Sequence, residues 1–405
     1  MRGWSRSDGR KGIRNVVAVA YLVECAHHVA REVVLPFRDR DVHLIGFPGC
    51  YFNQYAHEML ERITTHPNVG AVLLVSLGCE GADKHGLARR IRESGRPVET
   101  LIIQSEGGTR STIARGRQIV EDMRAGLDAQ GTVPVDLSDL VIGTVCGGSD
   151  GASGITANPA VGRAFDRLVA GGAACIFEET GELIGCEHHM ASRAVTPELG
   201  EEIIASVAKA AHYYSVLGQG SFAPGNAEGG LTTQEEKSMG AYAKSGASQI
   251  SGLIKPGMLP PGGGLFLLDV VPDGEVRFGF PNISDNAEIV ELIACGCHLI
   301  VFTTGRGSVV GSAISPVIKV ASNSQTYERL VEDMDVNAGA ILDGTASLDD
   351  VGREICSRIE DLASGDKSKS EDLGHQEFIL TYKTFEPVGP SCLPTAAGRV
   401  SPAHG

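Results

Sequence analysis

The stretch LVIGTVCGGSDGASGITANP, residues 140–159, decides the fold class of this chain. Its first six residues, Leu140 to Val145, form a short apolar run that predicts a buried β-strand, and Cys146 follows at the end of that strand. The glycines and short polar residues after Cys146 predict a turn into a helix. A buried strand that enters a helix in this way is typical of a parallel α/β sheet covered by helices on both faces.

The same alternation of strands and helices extends over most of the chain. The predicted strands are 15–21, 42–47, 71–77 and 98–103 in the first third, and 140–145, 173–177, 265–271 and 298–303 in the remainder. The polar segment 125–139 predicts a linker between them. We therefore predict an α/β fold with two parallel-sheet units, an N-terminal domain over 1–130 and a C-terminal domain over 138–386, followed by a weakly ordered tail over 387–405.

Composition excludes several classes of protein. The net charge of −15, without any long Lys/Arg cluster, argues against a nucleic-acid partner. No apolar run approaches the roughly 18 residues needed to cross a bilayer, and no signal-type apolar region follows the basic residues at the start. We therefore expect a cytoplasmic protein without a membrane partner, whose 10 cysteines stay reduced and serve either as small buried residues or as ligands.

The glycine-rich loops do not match nucleotide-binding motifs. Neither G-x-G-x-x-G directly after a first strand nor G-x-x-x-x-G-K-[ST] occurs, which disfavours NAD and ATP as ligands. The loop 146–156 instead offers backbone amides and the hydroxyls of Ser149, Ser153 and Thr156, which suit a carboxylate. The alternative interpretation is a tight turn that merely needs glycine.

A second loop of this kind, TTGRGS over 303–308, places Arg306 between glycines after another buried strand. Arginine binds carboxylates through two parallel hydrogen bonds, although a surface arginine in a loop is the alternative interpretation. Both loops together predict a substrate-binding site for a small hydroxy-carboxylate. Its predicted members, besides Arg306, are Gly148, Ser149, Asp150, Ser153, Thr156, Asn158, Thr304, Gly305 and Ser308.

Four cysteines, Cys25, Cys50, Cys79 and Cys146, each follow the end of a predicted strand. The carboxyl ends of parallel strands form the ligand crevice of such sheets, and thiolates there could bind iron or an iron–sulfur cluster. Cysteine is also a common small buried residue, and no C-x-x-C spacing strengthens the metal interpretation. We predict these four as metal ligands and iron as the metal, with its nuclearity left open.

Elimination of a group β to a carboxylate needs a base, a cation that holds the enediolate and an acid for the leaving group. Candidate bases are Lys237, Glu178, Glu179 and Glu187, and a hard-cation or hydroxyl site could form at Asp333, Asp335 and Asn337. An acidic, solvated surface is the alternative for the last group. We predict Lys237, Glu187, His188 and Arg306 as catalytic residues.

Several long strings resemble the altronate and galactarate dehydratase family, which also includes the large subunit of sulfolactate sulfo-lyase. They are GRKGIRN (9–15), HPNVGAVLLVSLGCE (66–80), CGGSDGASGITANPAVG (146–162), PGNAEGGLTTQEEKSMG (224–240), FTTGRGSVVG (302–311) and DMDVNAG (333–339). The match runs in order from near the start to about residue 355.

This resemblance implies a first α/β region used partly for contacts in a homodimer, and a Rossmann-like second domain of unusual topology. That second domain carries a metal site and works with Fe²⁺. The implied reaction is dehydration of a sugar acid to a 2-keto-3-deoxy acid, with a separately encoded small N-terminal-domain subunit as a partner. The chain departs from the family's pattern at GFPGCYFNQ (46–54) and at Asp285–Asn286, and both departures bear on the substrate.

Two further functions fit the same sequence. The leaving group could be sulfite rather than water, as in cleavage of sulfolactate. The chain could also be a non-catalytic sugar-acid-binding subunit whose partner carries out the chemistry.

Overall fold

The structure, a computed structural model, describes residues 1–218, 225–276 and 284–383. The predicted tail and part of the glycine-rich stretch 218–230 lie outside these residues. In the first part of the chain the elements are β1 (Arg2–Ser5), β2 (Lys11–Gly12), β3 (Val16–Tyr21), α1 (Glu24–Val34), β4 (Val42–Gly46), α2 (Gln54–Thr64), β5 (Val69–Ser76), α3 (Lys84–Glu93), β6 (Val98–Ile102), α4 (Thr109–Asp128) and β7 (Val133–Pro134).

The second part begins with the strand predicted from residues 140–145. Its elements are β8 (Val141–Cys146), α5 (Ala157–Ala170), β9 (Ala174–Phe177), α6 (Glu187–Ala191), α7 (Pro197–Leu217), α8 (Gly225–Glu228), α9 (Gln234–Ala243), β10 (Ile250–Ile254), β11 (Gly264–Leu268), α10 (Asp285–Ala294), β12 (Leu299–Thr304), β13 (Val317–Ala321), α11 (Ser324–Arg329), β14 (Val336–Asn337), α12 (Leu348–Ala363) and α13 (Lys369–Asp372). Four short 3₁₀ turns, 35–37, 137–139, 180–183 and 338–341, complete the described elements.

The N-terminal unit contains a parallel sheet in the order β4-β3-β5-β6. Helices α1 and α4 pack together on one face, and α2 and α3 pack on the other. Because both faces are covered, β5 is buried at all eight positions, which explains its unbroken apolar run. The predicted parallel α/β architecture is confirmed here.

The C-terminal unit contains a seven-stranded parallel sheet in the order β10-β11-β9-β8-β12-β13-β14. Without β10, the remaining six strands follow the order of a Rossmann fold counted from β8. β10 precedes β11 in the chain but lies outside it at the sheet edge, so the topology departs from that fold by one added strand. Helix α5 packs against α12 on one face.

Sequence patterns alone missed β10, β13 and the short strands β1, β2, β7 and β14, and misread the segment 125–139. β13 was missed because Lys319 interrupts its apolar pattern, although this lysine is fully buried and pairs with Asp333 at 3.8 Å. Helix α4 continues to Asp128, and β7 then pairs antiparallel with β1. The segment is therefore part of a small three-stranded sheet, β2-β1-β7, rather than a free linker.

The two units share one hydrophobic core and several polar contacts. Helix α2 packs against α10, where the hydroxyl of Tyr55 donates to Glu291 at 2.5 Å and Lys383 pairs with the same carboxylate at 2.8 Å. Within the described ranges, none of the helices has the length and apolar character required to cross a membrane.

Buried His298 also connects the units. Its Nδ1 accepts a hydrogen bond from the Val141 N–H at 3.0 Å, and its Nε2 lies 2.8 Å from the Lys11 carbonyl oxygen. Desolvation lowers the pKa of His298 to about 4, a direction that repulsion from Arg10 reinforces. The neutral imidazole that donates from Nε2 is therefore the folded form at neutral pH.

We predict that His298 makes the protein less stable in mild acid. Between the pKa of about 6.5 in the unfolded chain and the pKa of about 4 in the folded protein, only the unfolded chain binds the proton. This residue therefore lowers the free energy of unfolding by up to about 3 kcal/mol as pH falls from 7 to 4. Urea unfolding of wild type and His298→Asn across this range measures the effect. The difference in stability between the two proteins should shrink toward pH 4, whereas parallel pH profiles would contradict the prediction.

Candidate active site

The strand order of the large sheet reverses between β8 and β12, and ligands bind at such a switch point in open α/β sheets. Gly148, just after β8, adopts a φ of +60°, which favours glycine. Its carbonyl oxygen accepts hydrogen bonds from the N–H groups of Gly305 at 3.0 Å and Arg306 at 2.8 Å. The two loops predicted to bind a carboxylate are therefore joined at the switch point.

A cavity of about 600 Å³ opens beside these loops. Arg306 lines it with a side chain that is 41% exposed, and its guanidinium contacts the Gly225 carbonyl at 3.0 Å and Glu228 at 3.3 Å. Arg329 also lines the cavity and donates to the carbonyl oxygen of Arg306 at 3.3 Å. These two guanidinium groups can bind a substrate carboxylate, although Asp150, Glu228 and Asp343 also line the cavity.

Asp150 holds the loop framework rather than facing the cavity with free oxygens. Its carboxylate accepts hydrogen bonds from the hydroxyls of Ser153 and Ser322, each at 2.7 Å, and from the Asn323 amide at 2.9 Å. Gly305 packs so closely on Asp150 that a Cβ there would lie 2.2 Å from the carboxylate carbon. Asp150 and Ser153 thus position the two loops.

Other predicted substrate-binding residues also bond within the protein. Thr156 donates to the Ser322 carbonyl at 2.7 Å, and the amide of Asn158 donates to the Gly240 carbonyl at 3.0 Å. The hydroxyls of Thr304 and Ser308 accept from nearby backbone N–H groups at 3.0 and 3.1 Å. These contacts shape the loops, and a direct role in binding stays a prediction for each of them.

Cys146, at the end of β8, forms a buried cluster with Ser149 and Lys237. The ammonium of Lys237 lies 3.2 Å from the Cys146 Sγ and donates to the Ser149 hydroxyl at 2.8 Å. It also pairs with Glu182 at 2.7 Å, while Glu179 accepts a hydrogen bond from the Cys146 thiol at 2.9 Å. The structure therefore brings together three of the predicted site residues, which the chain separates by up to 91 positions.

A second layer of buried carboxylates lies behind this cluster. Glu179 adopts a left-handed backbone conformation, with φ +77°, and ion-pairs with buried Lys244. Its N–H donates to Glu178 at 2.8 Å. Desolvation, followed by repulsion from Glu288, raises the pKa of Glu178 well above its ordinary value, and the pKa of Glu288 rises to about 8, mainly through desolvation.

Asp285 is the most accessible acid of this group. It begins α10 and is exposed as a whole residue, but its carboxylate packs inward against Gly147, so closely that a Cβ there would lie 2.2 Å from a carboxylate oxygen. Desolvation raises the pKa of Asp285 to about 6, repulsion from Glu182 adds to this, and Lys237 and Lys244 oppose it. A carboxylate with this pKa can accept a proton near neutral pH.

Lys237 is better suited to act as a cation than as a base. Burial alone would lower its pKa, but Cys146 and Glu182 together raise the pKa above the ordinary lysine value. The side chain is therefore protonated at neutral pH and places a positive charge at the switch point. The sequence named Lys237 as a candidate base, whereas the raised pKa favours a role as the cation that holds the enediolate.

The structure does not bring every predicted residue into the cluster. Glu187 accepts a hydrogen bond from the Gly185 N–H at 2.7 Å, and His188 is exposed on the same short helix. Cys25, Cys50 and Cys79 are exposed at the edge of the N-terminal sheet and do not join Cys146. The acids Asp333 and Asp335 serve Lys319 and backbone N–H groups, and Asn337 caps a turn.

Sequence reasoning missed Glu182, Lys244 and Glu288 and did not assign Asp285 a role. The string EETGE, 178–182, directly follows β9 and was the available signal for Glu182. Lys244 caps the end of α9 and Glu288 lies in α10, and no local motif connects either of them to β8.

Among the described residues, two groups of side chains have the spacing of a metal site, and neither matches Fe²⁺ well. In the group Cys146, Glu179 and Glu182 the ammonium of Lys237 already contacts the Cys146 sulfur and pairs with the Glu182 carboxylate. The group Glu178, Glu179 and Glu288 offers only carboxylates, including an oxygen of Glu178 without a hydrogen-bond partner, and oxygen donors suit Mg²⁺ or Mn²⁺. Sulfur donors that suit iron lie instead at the N-terminal sheet edge.

Two family models cover almost the whole described chain. D-galactarate/altronate dehydratase, C-terminal, matches residues 137–385, and the second domain of D-galactarate dehydratase/altronate hydrolase matches residues 3–128. The chain belongs to the D-galactarate/altronate dehydratase family. The C-terminal match contains the complete Cys146–Lys237 cluster, so the candidate site lies within the family's own domain.

Individual relatives carry three different names. The chain is 32% identical to (2R)-sulfolactate sulfo-lyase subunit beta from Chromohalobacter salexigens, over 94% of this chain and 96% of that protein. It is 30% identical to altronate dehydratase from Bacillus subtilis, over 94% of this chain and 77% of that protein. It is 32% identical to galactarate dehydratase (L-threo-forming) from Escherichia coli, over 91% and 74% of the two chains.

We predict that Asp150→Ala destabilises the site loops. The substitution removes a carboxylate that accepts two buried hydrogen bonds and one part-buried one, and bonds to a charged group contribute about 1.5–3 kcal/mol each, so the free energy of unfolding should fall by about 4.5 kcal/mol or more. Urea unfolding measures this, with Ser308→Ala as the control, since that hydroxyl makes one local bond. Equal stability of Asp150→Ala and wild type would show that Asp150 does not hold the loops.

Proposed function

We propose that this protein is a lyase that dehydrates a sugar acid, or a related small hydroxy-carboxylate, to a 2-keto-3-deoxy acid. The observation that carries the proposal is the protonated Lys237 at the switch point, which donates to Ser149, the chain neighbour of Asp150 in the wall of the cavity with two arginines. Membership in a family of dehydratases supports the same reaction type.

The residues divide the work as follows. Arg306 binds the substrate carboxylate, and Asp285 takes the proton from the adjacent carbon. The electron pair of that bond moves toward the carboxylate and then forms the double bond as the carbon–oxygen bond to the β-hydroxyl breaks. The proton that Asp285 took up passes to the departing oxygen, which leaves as water. Lys237 stabilises the enediolate by its charge, because a buried ammonium acts in a less polar medium than water. The enol product then takes up a proton to become the keto acid.

Iron remains part of this proposal. A bound iron would polarise the leaving hydroxyl or the substrate carboxylate as a Lewis acid. The chain's own residues at the switch point bind the carboxylate, move the proton and keep water away from the buried carboxylates.

A sulfo-lyase reaction is the second candidate. A relative named as subunit beta of (2R)-sulfolactate sulfo-lyase favours it, because the match to this chain covers almost the full length of that protein. The same base and cation would serve, and the carbon–sulfur bond would break with its electron pair leaving as sulfite. This candidate also supports the proposal of a small partner subunit. The homodimer and the cytoplasmic location are further proposals.

Purified protein incubated with altronate, galactarate and sulfolactate distinguishes the candidates. Keto acid without sulfite supports dehydration, sulfite with pyruvate supports the sulfo-lyase, and neither from any acid, with or without iron, would overturn both. Lys237→Met should lower kcat by about 10²- to 10³-fold because the enediolate loses its cation. Exposed Lys367→Met is the matched control and should leave kcat unchanged.

We predict that Asp285 sets the acid limb of the pH–rate profile. The base must be ionised, so kcat/KM should fall about tenfold per pH unit below the Asp285 pKa of about 6. Asp285→Asn should lower kcat by about 10²- to 10⁴-fold and abolish this limb. Asp349→Asn, on the exposed face of α12, should keep both rate and profile. An unchanged acid limb in Asp285→Asn would assign the base to another residue.

A further inference from the structure

Three cysteines occupy the same position relative to the N-terminal sheet. Tyr21 of β3 pairs in register with Gly46 of β4 and with Val75 of β5. Cys25, Cys50 and Cys79 each follow their paired residue by four positions. Three neighbouring strands therefore each lead, after the same number of residues, into a segment that carries a cysteine at the same edge of the sheet.

Backbone hydrogen bonds connect the three loops that carry these cysteines. The N–H of Glu24 donates to the Pro48 carbonyl at 3.1 Å, and the N–H of Gly81 donates to the Cys50 carbonyl at 2.8 Å. Each cysteine lies within two residues of one of these bonds. Because β4 and β5 flank β3 on opposite sides, the Cys50 loop reaches across the end of β3, and the loops converge there.

The three thiols are exposed, which distinguishes them from the other cysteines of the described ranges. Cys146, Cys175, Cys186, Cys295 and Cys297 are buried, and Cys356 is intermediate. A cysteine used as a small apolar residue is among the most buried residue types. Packing therefore explains the buried cysteines but not Cys25, Cys50 and Cys79.

The position of the cysteines is also one where ligands bind. The sheet order β4-β3-β5-β6 reverses between β3 and β5, so the loops of Cys25 and Cys79 border a switch point. Cys25 also lies in the first turn of the 11-residue helix α1, where the helix dipole favours negative charge.

We propose that Cys25, Cys50 and Cys79 bind an iron–sulfur cluster, one iron each, and leave a fourth iron open to a small oxygen ligand. Soft thiolates select such clusters, whereas a closed structural zinc site needs four protein ligands. None of these cysteines belongs to a described group of three or more ligand atoms within 4.8 Å of one another, the spacing that suits a single ion. Ligands on separate irons lie farther apart.

The open iron deepens the proposed function, on which this part of the inference rests. Helix α10 extends from one switch point toward the other. At its start, Asp285 lies beside Gly147. Glu291, about 9 Å farther along the helix axis, accepts a hydrogen bond from Tyr55, which follows Cys50 by five residues. A hydroxy-carboxylate near α10 could therefore meet both the cluster and the acid–base residues.

Cluster assembly balances without a redox step in the protein. Two Fe²⁺, two Fe³⁺ and four sulfide ions form a [4Fe–4S]²⁺ core, and the three thiols release their protons to solvent on binding. The test is anaerobic reconstitution of the full chain with these ions, followed by desalting. Iron, zinc and sulfide analysis, visible absorption and EPR after reduction by dithionite then report on the cluster.

We expect about four irons and four sulfides per chain, with a visible absorption that bleaches on reduction. The triple variant C25S/C50S/C79S should keep less than a tenth of this iron, while Cys356→Ser should keep all of it. Circular dichroism of the variants before reconstitution checks that they fold. Alkylation mapped by mass spectrometry should modify Cys25, Cys50 and Cys79 in the metal-free chain and spare them in the loaded one.

An equal iron content in the triple variant, absence of sulfide, or one zinc in place of iron would overturn the proposal. A chain that binds the cluster but turns over none of the tested acids would leave the cysteine assignment standing and contradict the proposed function. A hydroxy acid that changes the EPR spectrum of the loaded wild type would place a substrate at the open iron, and an unchanged spectrum with a productive substrate would show that the fourth iron is closed.

Discussion

A buried positive charge at Lys237 constrains much of the C-terminal unit. An ammonium in the interior is stable only if nearby groups accept its hydrogen bonds and balance its charge. Cys146 and Ser149 come from the end of β8, Glu182 from the turn after β9, and Lys237 itself from α9. These elements must therefore meet at one point, and the reversal of strand order between β8 and β12 provides it.

The same constraint connects stability to chemistry. Buried carboxylates repel one another, and the raised pKa values of Glu178 and Glu288 express this repulsion together with desolvation. Lys237 and Lys244 neutralise only part of that charge. A substrate carboxylate adds a further negative charge, so the arginines of the adjacent cavity are needed to bind it, and Asp285 remains poised to accept a proton.

Sequence patterns predicted those parts of the fold and site that depend on local chemistry. The glycine-rich turn after β8 and the loop around Arg306 each follow a buried strand, so both could be placed at the sheet edge. Lys319 hid β13, because a buried lysine paired with a distant acid leaves no local pattern. The roles of Glu182 and Asp285 were missed as well. The ion pair of Glu182 and the raised pKa of Asp285 arise only when β9 and α10 pack beside β8.

The cysteines illustrate the same limit. The sequence showed that each of the four cysteines follows a strand. It did not show that one of them is buried at the seven-stranded sheet while the other three are exposed at the four-stranded sheet. Strand pairing decides it, because β3, β4 and β5 pair with one another and lead into the segments of Cys25, Cys50 and Cys79, whereas Cys146 ends a strand of the other sheet. The unusual string around Cys50 lies at this shared edge.

The central claim is that the reaction takes place at the switch point of the large sheet. A crystal structure of the loaded protein with a bound hydroxy acid or its keto-acid product tests this directly. The account predicts that the ligand carboxylate contacts the Arg306 guanidinium and that the adjacent carbon lies between Lys237 and Asp285. A ligand bound at another surface, with Lys237 still enclosed by Cys146, Ser149 and Glu182 and out of reach, would contradict the account.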